Sequence, residues 1–187
     1  AYKIIRFPFY RKLKKNILPG HVFYTNPFWI IYSAFMFLYF INKEKVDVIH
    51  VQGKYSLPGV RLANMFLKKP IILSARDYQL ICNYGFCLYN NKKGCNLKQY
   101  LQKDFSYYYN NYIANKSYIN LMINLIFAMW GRISKNILKL SANNIKIIVL
   151  SKYQKEVYKA NGFSNVEVIG NSITPSNKKS KKKRNKI

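Results

Sequence analysis

The apolar residues of this chain fall into short runs that alternate with segments of helical spacing. Four runs have the length and aliphatic composition of buried strands, namely 46–51, 71–75, 145–150 and 166–169. A fifth short run, 3–9, precedes them. Helical spacing marks four segments, namely 28–43, 57–69, about 98–141 and 151–162. Apolar strands alternating with helices are typical of a parallel sheet covered on both faces, so we predict an α/β, Rossmann-like fold.

The last of these helices carries signals at both ends. Ser151 and Gln154 form the capping-box pattern of a helix start. Gly162 stands where a left-handed residue commonly follows the last helical turn. The sequence therefore predicts a helix that begins after Ser151 and ends before Gly162.

Two apolar helices raise the question of a membrane span. The run FWIIYSAFMFLYFI at 28–41 has 14 residues, whereas a spanning helix needs about 20. The run at 119–130 is shorter, and Asn120 and Asn124 interrupt it. We therefore expect buried helices that do not cross a membrane, with binding in a membrane interface as the alternative for either.

The charge of the chain is strongly unbalanced. Its 187 residues include 32 Lys and Arg against 6 Asp and Glu, a formal charge of +26, and seven of those cations lie in the last ten residues. A hydrophobic fraction of 50% excludes a disordered chain. So basic a surface attracts anions, and charge alone leaves nucleic acid, an acidic membrane face and phosphorylated small molecules open.

Polar residues stand at the carboxyl end of every predicted core strand. They are His50, Gln52, Gly53 and Lys54 at the first strand, Arg76, Asp77 and Tyr78 at the second, Ser151 and Lys152 at the third, and Gly170, Asn171 and Ser172 at the fourth. Loops and helix N-termini converge at this edge of an open parallel sheet, and ligands bind there. We therefore predict a ligand cleft into which Arg76 and Asp77 point.

The segment VDVIHVQGKYSLPGVRLANMFLKKPIILSARDYQLIC at 46–82 resembles the acceptor-side domain of family 4 (group 1) glycosyltransferases, which have the two-Rossmann GT-B fold. Such proteins show a D-hydrophobic-H strand end, a helix, K/G-K-P before the next strand, and H/R-D-Y with a cysteine a few residues later. The segment IIVLSKYQKEVYKANGFSNVEVIGNSITP at 147–175 is similar to a later stretch of that family. The resemblance covers about residues 46 to 175.

This resemblance implies a retaining glycosyltransferase of which the chain supplies the acceptor half. It implies that 1–173 is a partial acceptor domain and that 174–187 is a polybasic linker towards a C-terminal donor-binding Rossmann domain. The family's paired glutamates for the donor lie in that second domain, and its Gly-rich loop would precede Ala1. The opening AYKIIRFPFY has neither a signal-peptide layout nor an initiator methionine, and we expect a fragment that is inactive alone.

The resemblance also assigns roles at the predicted cleft. Arg76 and Asp77 take the catalytic positions. The substrate-binding positions are His50, Gln52, Gly53, Tyr78, Ser151 and Asn171. Many members have histidine in place of Arg76; since arginine stays protonated and cannot act as a base, Arg76 would hold a phosphate or carboxylate. Structural interpretations stay open: His50 as a core histidine, Arg76 and Asp77 as a loop-capping pair, and Asn171 as a turn residue.

The expected co-substrate is a nucleotide-sugar and the expected acceptor a glycan or a lipid-linked molecule, with no further cofactor. We expect no metal, because Cys82, Cys87 and Cys95 lie in one loop without a fourth ligand nearby. Their odd number also fits no secreted disulfide framework. Packing within the loop is the preferred role for these cysteines.

An anionic membrane surface is a further expected partner, and we expect a cytoplasmic protein that could lie at the inner face of the membrane. The alternative function is a basic membrane- or nucleic-acid-binding module without catalysis. Nucleic acid is the weaker candidate, because the chain shows a low-complexity lysine tail and no RNA- or DNA-binding signature.

Overall fold

Four parallel strands form one sheet, in the order in which they occur along the chain. The computed structural model describes residue 4 and residues 25–78, 80–82, 84–85, 96–114 and 116–170. The strands are β1 (Ile49–Gln52), β2 (Ile71–Ala75), β3 (Lys146–Val149) and β4 (Val166–Val168). Each strand pairs in parallel with the next one. With helices flanking the sheet, this is the α/β, Rossmann-like class that the sequence predicts.

The helices connect and cover the strands. They are α1 (Pro27–Lys43), α2 (Leu57–Leu67), α3 (Leu97–Gln99), α4 (Ser106–Tyr112), α5 (Tyr118–Ser141) and α6 (Lys152–Ala160). A π-helical segment, Tyr100–Phe105, joins α3 to α4. At the start of α1, the Asn26 side chain accepts the N–H of Phe28 at 2.9 Å and Pro27 takes the first helical position.

The long helical region predicted at about 98–141 is interrupted in the structure. Ile113 is extended, and Ser117 caps a new helix by accepting the N–H of Asn120 at 3.2 Å. Asn120 therefore belongs to the first turn of α5 and does not break it. The predicted first strand begins at Ile49 and not at 46, and the predicted strand at 3–9 lies, except for residue 4, outside the described residues.

Each helix that leads back into a strand is followed by a residue in the left-handed conformation. These residues are Lys45, Lys68, Asn144 and Gly162, with φ of 50°, 52°, 58° and 87°. After α6, Gly162 donates its N–H to the carbonyl of Lys159 and Phe163 donates to that of Tyr158, at 3.0 and 3.2 Å. The rings of Tyr158 and Phe163 lie 5.3 Å apart, which completes a Schellman motif. The predicted end of α6 is confirmed.

Helices α1 and α2 approach each other closely at Gly59. A Cβ atom at this position would overlap the Oγ atom of Ser33 and lie 3.3 Å from the backbone nitrogen of Ala34.

The main hydrophobic core contains apolar side chains from all four strands, among them Val51, Leu73, Ile147 and Val166. Within the described ranges, no helix combines the length and the hydropathy that crossing a bilayer requires.

Candidate functional site

A cavity of about 260 Å³ opens at the carboxyl ends of β1 and β2. Its walls come from the end of β1, from β2 and the loop after it, and from α6. Four of the predicted site residues line it, namely Gln52, Gly53, Arg76 and Asp77. The other seven lining residues are Lys54, Tyr55, Leu73, Ser74, Ala75, Leu80 and Tyr158. We call this cavity the cleft.

The turn after β1 forms the first wall of the cleft. Gly53 has a φ of 77°, which a side chain would strain, and its N–H donates to the carbonyl of Ser74 at 3.3 Å. This bond extends the parallel ladder between β1 and β2 by one residue beyond Gln52. The carbonyl of the next residue, Lys54, accepts the N–H of Leu57 at 3.3 Å, and α2 begins there.

Lys54 is the most unusual residue of the cleft, because only 4% of it is exposed. Burial lowers its pKa to about 8, since the protonated amine loses hydration, and the negative charge of Asp77 opposes part of this effect. Near neutral pH, Lys54 thus places a poorly hydrated positive charge in the wall of the cleft. The neighbouring carboxylate of Asp77 offsets part of this charge.

Helix α6 fixes the loop after β2 through its buried face. The Nε2 of Gln154 donates to the carbonyls of Ala75 and Asp77 at 3.1 and 3.0 Å. The hydroxyl of Tyr158 donates to the same Asp77 carbonyl at 2.8 Å. Burial raises the pKa of that hydroxyl well above its usual range, and the charge of Asp77 adds to the effect. The backbone at Asp77 is therefore held in place from a separate element.

Arg76 and Asp77 differ in their surroundings. Arg76 is exposed at the mouth of the cleft, whereas Asp77 is half-buried and close enough to influence Lys54 and Tyr55 electrostatically. Two cations, Lys54 and Arg76, thus accompany one carboxylate in the cleft. This balance suits a phosphate or carboxylate group of a ligand.

His50 lies beside the cleft without lining it. Its Nε2 lies 2.8 Å from the Oγ of Ser74, a residue of the cleft wall, and the tautomer of the ring decides which atom donates. The histidine is exposed on β1, so it is not a buried core residue. Its hydrogen bond can orient the hydroxyl group of Ser74 in the wall of the cleft.

The remaining predicted site residues have other surroundings. Ser151 is exposed and caps α6, since its Oγ accepts the N–H of Gln154 at 3.1 Å. The capping box is half formed, because the Oε1 of Gln154 accepts the N–H of Leu150. Tyr78 is half-buried against the main core and does not line the cleft. Asn171 lies outside the described residues.

Possible metal ligands are sparse in the part of the chain that the structure describes. There, no three His, Cys, Asp or Glu side chains are grouped so that they could hold a metal ion. Cys82 is buried, and its thiol donates to Oδ2 of the buried Asp104 at 3.7 Å. Cys87 and Cys95 lie outside the described residues.

Sequence reasoning placed Lys54 at the edge of the predicted cleft without a substrate-binding role, and it used Gln154 only as a capping-box residue. It assigned no role to Tyr158. Gln154 and Tyr158 are four positions apart and so share one face of α6 with Val157. Two polar side chains on the apolar face of a helix are a detectable signal, because buried polar groups need partners. No comparable signal distinguishes Lys54 from the many exposed lysines of this chain.

Comparisons with protein-family models, with curated proteins and with solved structures found no match.

Proposed function

We propose that this chain is the acceptor-side domain of a retaining glycosyltransferase, which transfers a sugar from a nucleotide-sugar to a glycan or lipid-linked acceptor. The observation that carries the proposal is the position of the R-D-Y sequence, Arg76 to Tyr78. It follows β2 directly at the carboxyl edge of a parallel sheet, and Arg76 and Asp77 line the cleft there. In the family that the sequence resembles, the corresponding residues lie on the acceptor side of the active site.

Glycosyl transfer requires an acceptor hydroxyl close to the sugar carbon and stabilisation of the charge on the departing diphosphate. In our proposal, Arg76 holds an anionic group of the acceptor through its planar guanidinium, which can bind two oxygens at once. Lys54 adds positive charge from the wall of the cleft. The carboxylate of Asp77 accepts a hydrogen bond from the acceptor hydroxyl and orients it.

The donor is the part of the reaction that this chain does not supply in our proposal. In the family that the sequence resembles, the nucleotide-sugar binds a second Rossmann domain, and transfer takes place between the two domains. We therefore expect the 187-residue chain to bind an anionic acceptor group and to transfer no sugar by itself. Turnover of any nucleotide-sugar by the purified chain would contradict this division of roles.

A first experiment tests binding in the cleft. Calorimetric titration of the chain with inorganic pyrophosphate, at a fixed ionic strength, is carried out on the wild type, Arg76→Ala and Arg76→Lys. Arg61→Ala, on α2 and outside the cleft, serves as a control for lost charge. We expect both Arg76 variants to bind at least about 10-fold more weakly, and the control to bind normally. Equal weakening in all variants indicates diffuse electrostatic binding and contradicts the cleft assignment.

A second experiment tests catalysis in a polypeptide that joins this chain to a donor-binding Rossmann domain. There, Arg76→Lys should lower kcat/KM by about 10-fold or more, which corresponds to about 1.4 kcal/mol, and Arg76→Ala should lower it further. The melting temperature should stay unchanged, since Arg76 is exposed. A lowered melting temperature with normal turnover would show that Arg76 is a structural residue.

The charge of +26 favours a second candidate, a basic module that binds membranes or nucleic acid without catalysis. Titration with single-stranded and duplex oligonucleotides at increasing salt tests the nucleic-acid form. Tight binding that survives about 200 mM salt and does not depend on Arg76 would favour this candidate. Weak binding that disappears with salt is what we expect of a merely basic surface.

A further inference from the structure

Helix α5 exposes apolar side chains to solvent, where an ordinary amphipathic helix presents polar ones. Its buried positions hold mainly small side chains, namely Ala128, Gly131, Ser134, Leu138 and Ser141. Several of its large apolar side chains are exposed, among them Ile119 at 70%, Ile126 at 63% and Ile133 at 56%. Globular proteins normally bury isoleucine and leave a surface helix with a polar outer face.

The exposed side chains form one continuous surface. Ile119, Met122, Ile126, Met129 and Ile133 follow one another at steps of three and four residues, so they share one side of the helix. We call these five residues the α5 face. With a rise of about 1.5 Å per residue, the α5 face extends over about 21 Å. A continuous apolar surface of this length indicates an interaction site.

Charge and length decide what can occupy the α5 face. A second copy of this chain is a poor partner, because each copy carries a formal charge of +26 and the two repel. The helix is not apolar enough to cross a bilayer, so it can bind one only in the plane of the interface. Lys116, just before the helix, is exposed and can approach lipid phosphates.

We propose that the α5 face docks this chain onto an anionic lipid bilayer, with α5 lying in the plane of the interface and its isoleucines and methionines inserted among the acyl chains. The basic surface attracts the chain to the membrane, and the α5 face then anchors it. This inference does not depend on glycosyl transfer, since it rests on α5 and on the net charge.

The experiment separates insertion from simple electrostatic attraction. The full chain is sedimented with vesicles of phosphatidylcholine alone and of phosphatidylcholine with 30% phosphatidylglycerol, at 0.1 and 0.5 M NaCl. The test variant is Ile126→Gln with Ile133→Gln, which leaves the charge unchanged. The matched control is Val48→Gln with Ile169→Gln, two apolar residues exposed at 49% and 54% elsewhere on the surface.

We expect the wild type and the control to bind anionic vesicles equally, and the test variant to bind at least about 10-fold more weakly at 0.5 M NaCl, where attraction between charges is screened. Brominated acyl chains should quench the fluorescence of the wild type, through Trp130 on α5, and quench the test variant less. Because both isoleucines are more than half exposed, the melting temperature should not change.

Two outcomes would overturn the proposal. Equal binding of the test variant and the wild type at both salt concentrations would show that charge alone holds the chain on the vesicle. A lipid-free dimer of the wild type, detected by analytical ultracentrifugation and lost in the test variant, would assign the α5 face to self-association.

Discussion

The phenolic hydroxyl of Tyr158 donates a 2.8 Å hydrogen bond to the backbone carbonyl of Asp77. The two residues belong to α6 and to the loop after β2, so the bond joins separate parts of the chain. Gln154 contributes a second bond to the same carbonyl. The position of the loop that carries Arg76 and Asp77 therefore depends on a helix that supplies no charged group to the cleft.

Tyr158→Phe should lower the free energy of unfolding by about 1 kcal/mol, the usual net value of one hydrogen bond. The loss is modest because the Asp77 carbonyl keeps its bond from Gln154. Urea unfolding measures it, with Tyr118→Phe at an exposed position as control. Equal stability of Tyr158→Phe and the wild type would show that the bond contributes nothing.

Gln154→Leu should be more destabilising, by about 3 kcal/mol, because Gln154 makes three buried or half-buried bonds to backbone groups. Gln154→Glu should also destabilise, since a carboxylate can accept from Leu150 but cannot donate to the carbonyls of Ala75 and Asp77. Gln102→Leu, at an exposed position, is the matched control. If Gln154→Leu cost no more than its control, α6 would not hold the loop.

Lys54 should make stability depend on pH in a defined window. Its pKa falls from 10.5 in the unfolded chain to about 8 in the fold, so between these values the unfolded chain binds more protons. The contribution of Lys54 to stability therefore rises with pH over this window. Between pH 7.5 and 9.5, the free energy of unfolding of the wild type should rise by about 2 kcal/mol relative to that of Lys54→Met.

Urea unfolding at three pH values below 10 measures this gain, and Lys152→Met, at an exposed position, is the control. Higher pH is avoided because Tyr158 has a raised pKa, so its contribution is lost as pH rises above the value of an unfolded tyrosine. Parallel pH curves for the wild type and Lys54→Met would contradict the assignment of Lys54 as a desolvated cation.

Gly59→Ala should destabilise the chain by about 2 kcal/mol, because the new methyl group would overlap Ser33 across the contact of α1 with α2. Ser33→Ala removes the Oγ but leaves its Cβ 3.0 Å from the new methyl group, so the double variant should recover only part of the loss. Gly170→Ala, with open space around it, is the control. A double-mutant cycle without coupling would contradict this account.

The strands could be predicted because short continuous apolar runs such as 71–75 are typical of buried strands. The cleft could be located because the carboxyl ends of parallel strands share one edge, which brings Gln52, Arg76 and Asp77 together. The sequence did not separate polar residues with structural partners from those facing the cleft. Ser151 was predicted both as a helix cap and as a substrate-binding residue, and in the structure it caps α6.

Burial of single residues was the harder problem. Lys54 directly follows the left-handed Gly53 and is buried, and burial of this kind depends on tertiary packing that has no local signature. The sequence also did not show which side of α5 would face the core. Its periodicity predicts a helix with an apolar side, and the packing of the fold decided that small residues would face the core.

The pairings of the sheet span very different lengths of chain. Ile49 pairs with Ile71 and Ile147 with Val166, about 20 positions apart, whereas Ile72 pairs with Lys146, 74 positions away. Closing the longer loop costs about 1 kcal/mol more chain entropy. We therefore expect the two outer pairings to form before β2 pairs with β3. Because the bonds from α6 to Asp77 cross that junction, we expect the cleft to be completed in the last step of folding.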